Sequence, residues 1–282
     1  MQGRAWTRLS QLLSALIVLT ASGVGVLAFL MPFISPPEQR GFTPAAHASD
    51  APFLFVLLVA LGLGAVMADM TLGQMRSQTV AVMGVLAAVG ATLRLVPGPG
   101  GFSALFLVPI VAGYVYGPTF GFLLGTFTLA VSALVTGGIG PWLPYQMFTT
   151  GWVGALSGLW GKVVVRNRGD GRVSPTRWEV VILAVWGGIL GLVYGVIMNL
   201  WFWPFVFQAQ NPSLYWEPGI GVGNTLARYA AFYLATSLWW DMGRAVGNAM
   251  LILAVGRPLI RALRRFRARA RFDRAPAPTP AA

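Results

Sequence analysis

Residues 107–148 read LVPIVAGYVYGPTFGFLLGTFTLAVSALVTGGIGPWLPYQMF, and the fold class turns on that stretch. Apolar segments lie on either side of Gly117-Pro118. A third begins within the run Gly137-Gly138-Ile139-Gly140-Pro141-Trp142-Leu143-Pro144-Tyr145-Gln146. The segments approach the ~20 residues that a spanning helix needs, with Gly and Pro as punctuation between them. A bent backbone cannot lie in lipid with its polar groups unpaired, so such a turn is buried in protein or lines a wet cavity. The run therefore reads as a site at the edge of a membrane domain.

The pattern repeats along the chain. With 56% hydrophobic and only 10% charged residues and a mean hydropathy of +0.68, the chain exceeds soluble averages in apolarity. The expected fold is all-α, a polytopic membrane helical bundle. About eight spans are predicted, near residues 10–32, 51–72, 78–96, 103–116, 119–136, 143–161, 179–200 and 224–255. Arg4, Arg8, Arg76, Lys162, Arg166, Arg168, Arg172, Arg177 and the tail from Arg257 to Arg274 fall at alternate ends of these spans. The positive-inside bias then places both termini in the cytoplasm. The opposite connections carry Arg40 with Glu38, Asp50 and Glu217, and are read as external.

The net charge of +12 sits mostly in loops and a tail beside a membrane, where anionic lipid headgroups are nearer partners than nucleic acid. With no Cys there is no disulfide, thiolate metal site or cysteine nucleophile. The first apolar stretch is too long for an ordinary signal segment despite the cleavage-like Ala46-His47-Ala48, and is read as a retained helix. The Pro/Ala-rich end from Ala275 is expected to stay unfolded.

No catalytic or metal constellation is legible. His47, the single histidine, reads as a solvated loop residue. In Gly154-Ala155-Leu156-Ser157-Gly158-Leu159-Trp160-Gly161-Lys162-Val163 the leading Gly and final Ser/Thr of a phosphate loop are missing, and the segment follows a helix. Ionisable groups in or near spans are functional hypotheses by default. Asp69 and Arg94 stand near span ends and could snorkel to an interface. Asp241 and Arg244, three apart on one helix, can neutralise each other.

Three external loops offer a pocket: Val96-Pro97-Gly98-Pro99-Gly100-Gly101-Phe102, the Gly-Pro-Trp run, and Trp201-Phe202-Trp203-Pro204-Phe205-Val206-Phe207 continuing to Tyr215-Trp216-Glu217. Aromatic faces can stack a flat ligand, with Gln146, Asn199 and Asn224 as orienting polar groups. The aromatics of the third loop equally suit an interfacial belt. The candidate substrate-binding set is Arg94, Phe102, Trp142, Tyr145, Gln146, Asn199, Trp201 and Trp203. Gly84, Ala87, Ala88 and Ala91 place small residues on the third span, for internal packing or for docking another subunit.

The order of elements from Ala87-Ala88-Val89-Gly90-Ala91-Thr92-Leu93-Arg94 onward, with the strings Tyr-Gly-Pro-x-Phe-Gly-Phe at 116–122 and Gly-Pro-Trp-x-Pro-x-Gln at 140–146, resembles the substrate-binding S-components of energy-coupling-factor (ECF) transporters. These are ABC-type importers of vitamins and related micronutrients. The resemblance covers roughly residues 78–255. It implies a six-helix core over 77–256, two additional helices in 1–76 and a basic, disordered cytoplasmic tail over 257–282. It further implies no ATPase and no cofactor of the chain's own, with a transmembrane coupling subunit and two cytoplasmic ATPases as partners. In this light Gly84, Ala87, Ala88 and Ala91 become the expected docking face. The cargo stays open among a corrinoid, queuosine precursors, thiamin fragments and riboflavin. A stand-alone secondary transporter lacks a clear mid-membrane carboxylate or repeat, and an intramembrane enzyme lacks clustered acid, base or metal ligands.

Overall fold

The computed structural model describes residues 2–36, 46–72, 75–96, 98–168 and 173–272. Expectations resting on Glu38, Arg40, Pro97, Arg172, Arg274 and the Pro/Ala tail lie outside these residues, as do those on the side chains of Arg4, Arg8, Arg166 and Arg168. Among the described residues the chain is all-helical, with no strand. In order come α1 (Gln2–Ile34), α2 (Ala51–Thr71), α3 (Ser77–Leu93), α4 (Leu107–Tyr116), α5 (Pro118–Thr136), α6 (Leu143–Arg168), α7 (Arg177–Asn199), α8 (Gly221–Phe232) and α9 (Leu238–Phe272). A π turn, Tyr233–Ser237, joins α8 to α9 in one rod. Five of these segments are long and apolar enough to cross a membrane, while α3 and the turn leading through α4 are shorter apolar helices. The chain is a polytopic membrane bundle.

Local sequence sets the boundaries. Gly117 takes φ 108, a conformation costly for other residues, and Pro118 opens α5 where its missing N–H is no loss. Gly137, left-handed at φ 65, closes α5, and Gly138 N–H bonds the Ala133 carbonyl at 3.1 Å. At α7 the Thr176 side chain accepts the Glu179 N–H at 3.2 Å, an N-terminal cap.

α4 is the axis of the bundle: every residue from Leu107 to Val115 is buried. In lipid, burial of apolar side chains against one another gains little over leaving them in acyl chains, so helix association depends on close approach. Glycines provide it. A Cβ at Gly113 or Gly121 would collide with the Gly154 carbonyl, one at Gly125 with the Thr150 carbonyl, and one at Gly161 with the Tyr114 carbonyl. The Tyr-Gly-Pro-x-Phe-Gly-Phe string and the glycines of 154–161 thus serve α4–α5–α6 contact.

The first two helices pack on this core. Gly25 lies under Phe148 and Trp152, Trp152 Nε1 donates to Ser22 Oγ at 3.0 Å, and Gly62 lies against Phe127. Asp69 does not snorkel: it is buried and accepts a hydrogen bond from Ser14 of α1. A carboxylate inside an apolar helix pair needs that partner.

The expectation of disorder from residue 257 fails for 257–272, where α9 continues as helix. At this end Arg264 pairs with the buried Glu179, which also accepts the Tyr114 hydroxyl at 2.7 Å, and Arg267 bonds the Val115 carbonyl. The basic run is thereby tied to α4 and α7.

Candidate binding cavity

At the opposite end of α7, some 20 residues and therefore about 30 Å from Glu179, a cavity of about 510 Å³ opens among α6, α7 and α9. That volume suits a small organic ligand. Trp142 and Gln146 contribute from the start of α6, Met198 and Asn199 from the end of α7, Trp201 and Phe202 from the segment after it, and Trp240 from α9. Trp142 and Trp201 meet edge to face with centroids 6.4 Å apart.

The polar groups are mutually ordered. Asn199 Nδ2 donates to the Gly195 carbonyl at 3.0 Å, and its Oδ1 accepts Ser237 Oγ–H at 3.0 Å. Ser237 ends the π turn, whose extra residue turns Ser237, Trp240 and Asp241 toward one cavity; π turns recur at functional sites for this reason. Asp241 and Arg244 form an ion pair with side chains only 5% and 15% exposed. The Arg244 guanidinium also lies 5.0 Å from the Tyr194 ring centroid, a cation–π distance. The Asp241 carboxylate occupies the place a side chain at Gly195 would take, so only glycine fits there. The pair expected from sequence exists, and it forms part of the cavity wall.

Of the residues proposed from sequence, Trp142, Gln146, Asn199 and Trp201 line the cavity. Arg94 stands behind it, reaching Gln146 Oε1 and Ser132 Oγ at 3.4 Å each. Three others do not line it either. Phe102 packs against Gly247 of α9, beside a tight approach of Gly100, at φ 60, to Gly243. Tyr145 is fully buried, and Trp203 sits in a separate aromatic core with Tyr215, Trp216 and Phe232. The third loop is therefore neither a simple belt nor wholly pocket. Asn224 bonds its own helix at the Ile220 carbonyl, 2.9 Å away. Phe202 entered only as part of the third loop, and Ser237 and Trp240 were not singled out from sequence; the ionisable pair in an apolar span was the signal that could have led to them.

His47 overturns its reading as a solvated loop residue. It is 5% exposed, at φ 59, with Nδ1 2.9 Å from Asp50 Oδ2 and 2.6 Å from the Tyr145 hydroxyl. Tyr145 donates to Asp50 Oδ2 at 2.5 Å. Burial opposes the charge on Asp50, but hydrogen bonds from His47 and Tyr145 outweigh it and hold the carboxyl below its ordinary value.

The small-residue face of α3 also divides. Ala87 and Ala91 are buried within the chain, which removes them as a docking surface, whereas Gly84 and Ala88 are exposed. A Cβ at Gly84 would meet nothing within 4 Å.

A family model described as the substrate-specific component of ECF transporters matches residues 78–256, from the start of α3 to well along α9. No curated protein and no solved structure matches the chain. The matched segment holds α4, the glycine contacts of α4–α6 and every residue lining the cavity, and it exceeds half the sequence. The chain belongs to the ECF transporter substrate-specific component family.

Proposed function

We propose that the chain captures a flat, uncharged, vitamin-like heterocycle in the cavity between α6, α7 and α9, for import powered by a transmembrane coupling subunit and two ATPases. The observation that carries this reading is the pairing of aromatic walls with a buried donor that finds no partner among the described residues, Trp201 Nε1, beside the Asp241–Arg244 pair. An unpaired buried donor is costly, and a ligand offering an acceptor would satisfy it. Because Asp241 and Arg244 cancel in charge, the walls favour a neutral ring system over an anionic vitamin. The volume favours a single heterocycle over a corrinoid. The arginines at the far end of α9 support a cytoplasmic position for that end and an external position for the cavity. Gly84 and Ala88, exposed and small, are the surface for the coupling subunit.

The test is native mass spectrometry of the full chain purified in detergent, followed by Trp-fluorescence titration with thiamin, riboflavin, 7-aminomethyl-7-deazaguanine, nicotinate and biotin. Riboflavin, the uncharged probe, bound at one per chain and weakened by Gln146→Ala supports the reading, whereas binding of only the cationic probes, thiamin or 7-aminomethyl-7-deazaguanine, would sink the uncharged class. Binding of the anionic probes alone would sink the ligand class, and binding untouched by Gln146→Ala would sink the site.

A further inference from the structure

The α1–α2 pair lies outside the family match, yet His47, just before α2, reaches the cavity wall at Trp201. His47 carries a left-handed backbone at φ 59, unusual for a residue with a side chain, and buries its ring beside Trp201 and Phe205, with centroids 6.2 and 4.8 Å away. Its Nδ1 and the Tyr145 hydroxyl converge on the same Asp50 oxygen. Tyr145 immediately precedes Gln146, and Trp201 and Gln146 both line the cavity. From α1, Phe29 packs edge to face on Tyr145 at 4.8 Å, and Phe33 packs on Trp216 at 5.1 Å. Two sides of the cavity are thus braced by residues from outside the matched core.

We propose that His47 and Asp50 are positioning residues for the binding cavity, forming with Tyr145 a latch through which the α1–α2 pair holds Trp201 and Gln146 in place. This inference rests on the cavity being the ligand site, but its test does not need a ligand. The latch costs the chain a strained backbone and a histidine withdrawn from water, and such strain persists where surrounding contacts over-determine it. Aromatic walls fixed before a ligand arrives lose less entropy on binding it. Without the latch, Trp201 is free to leave Trp142, and the cavity opens more often.

The absence of cysteine allows a direct measurement. In the full chain in nanodiscs, Ser237→Cys places one thiol in the cavity, and Thr79→Cys places one at the far end of the bundle. Maleimide labelling of Ser237→Cys is expected to speed up about fivefold on adding His47→Ala or Asp50→Ala, the population change that one net hydrogen bond commands. His47→Asn, which tolerates the left-handed backbone and keeps an amide donor, should restore the slow rate. Labelling of Thr79→Cys should not change. An unchanged rate at Ser237→Cys, or an equal acceleration at both thiols, overturns the latch. If a probe is bound and weakened by Gln146→Ala but not by His47→Ala, the latch fails while the proposed function stands. If no probe binds, the labelling rates still decide the latch.

Discussion

Trp201 and Trp203 are two residues apart, share one loop and have opposite roles. Trp203 is fully buried, its Nε1 donates to the Leu214 carbonyl at 3.0 Å, and Tyr229 and Phe232 pack around it. The Trp201 indole has no partner for its N–H among the described residues and stands on the cavity wall against Trp142. One ring is finished by the chain, and on the proposed function the other is left for the ligand. Arg228 completes the contrast: it bonds the carbonyls of Pro212 and Tyr215 and pairs with Glu217, closing the loop around Trp203 and not around Trp201. The free N–H does not make this distinction alone, since Trp160 and Trp186 also lack a partner among the described residues and stack on each other away from the cavity; for Trp201 it counts together with its place on the cavity wall.

The largest expected effect separates the two rings outright. Trp203→Ala should lower stability by about 3–5 kcal/mol, the usual cost of emptying a fully buried aromatic site, read as a fall in the unfolding midpoint of the detergent-solubilised chain. Trp201→Ala should instead weaken ligand binding by about 2 kcal/mol, roughly thirtyfold, with a smaller change in midpoint. Equal destabilisation by both variants would erase the contrast. A finer test removes the N–H while keeping an aromatic ring: Trp203→Phe should cost about 1 kcal/mol of stability, and Trp201→Phe about the same in affinity with stability unchanged.

The smallest effect concerns the latch that braces Trp201. The Asp50 carboxyl has a folded value below the ordinary 3.8, so the charged form contributes stability above that value and loses it as the pH falls through the folded value. About 40% of the Asp50 side chain is exposed, so solvent screening limits the contribution to a fraction of a kcal/mol. Unfolding midpoints measured from pH 6 to pH 3 should fall slightly more in the natural chain than in Asp50→Asn. An identical decline would assign the acid response elsewhere.

Helices and their ends were legible because Gly and Pro act locally: Gly117-Pro118, Gly137 and Thr176 mark boundaries where they stand. Four of the cavity's eleven lining residues were legible for the same reason, since Trp142, Gln146, Asn199 and Trp201 sit at or beside helix ends. His47 was not, because its partner Tyr145 is 98 positions away and a left-handed histidine has no sequence signature. The inward turn of Ala87 and Ala91 was hidden too. Lipid and protein core both accept apolar residues, so a membrane helix need not advertise which face is buried. Residues 257–272 read as a solvated tail because charge dominates them, while Glu179, which receives Arg264, lies 85 positions earlier.

The π turn at Tyr233–Ser237 gives the rod one residue more than α-helical winding would use. Each residue of an α-helix advances the chain by about 100° and 1.5 Å. A one-residue deletion there could leave a continuous helix of nearly the same length. Everything beyond it would also keep its phase relative to α8, because a π turn winds its extra residue into nearly the same rotation; it is winding all five residues as ordinary α-helix that would turn Asp241 off Gly195, Gly243 off Gly100 and Arg264 away from Glu179 by about a quarter circle. The extra residue is thus absorbed where it stands, and the local winding of this short stretch sets the phase for both ends of the molecule.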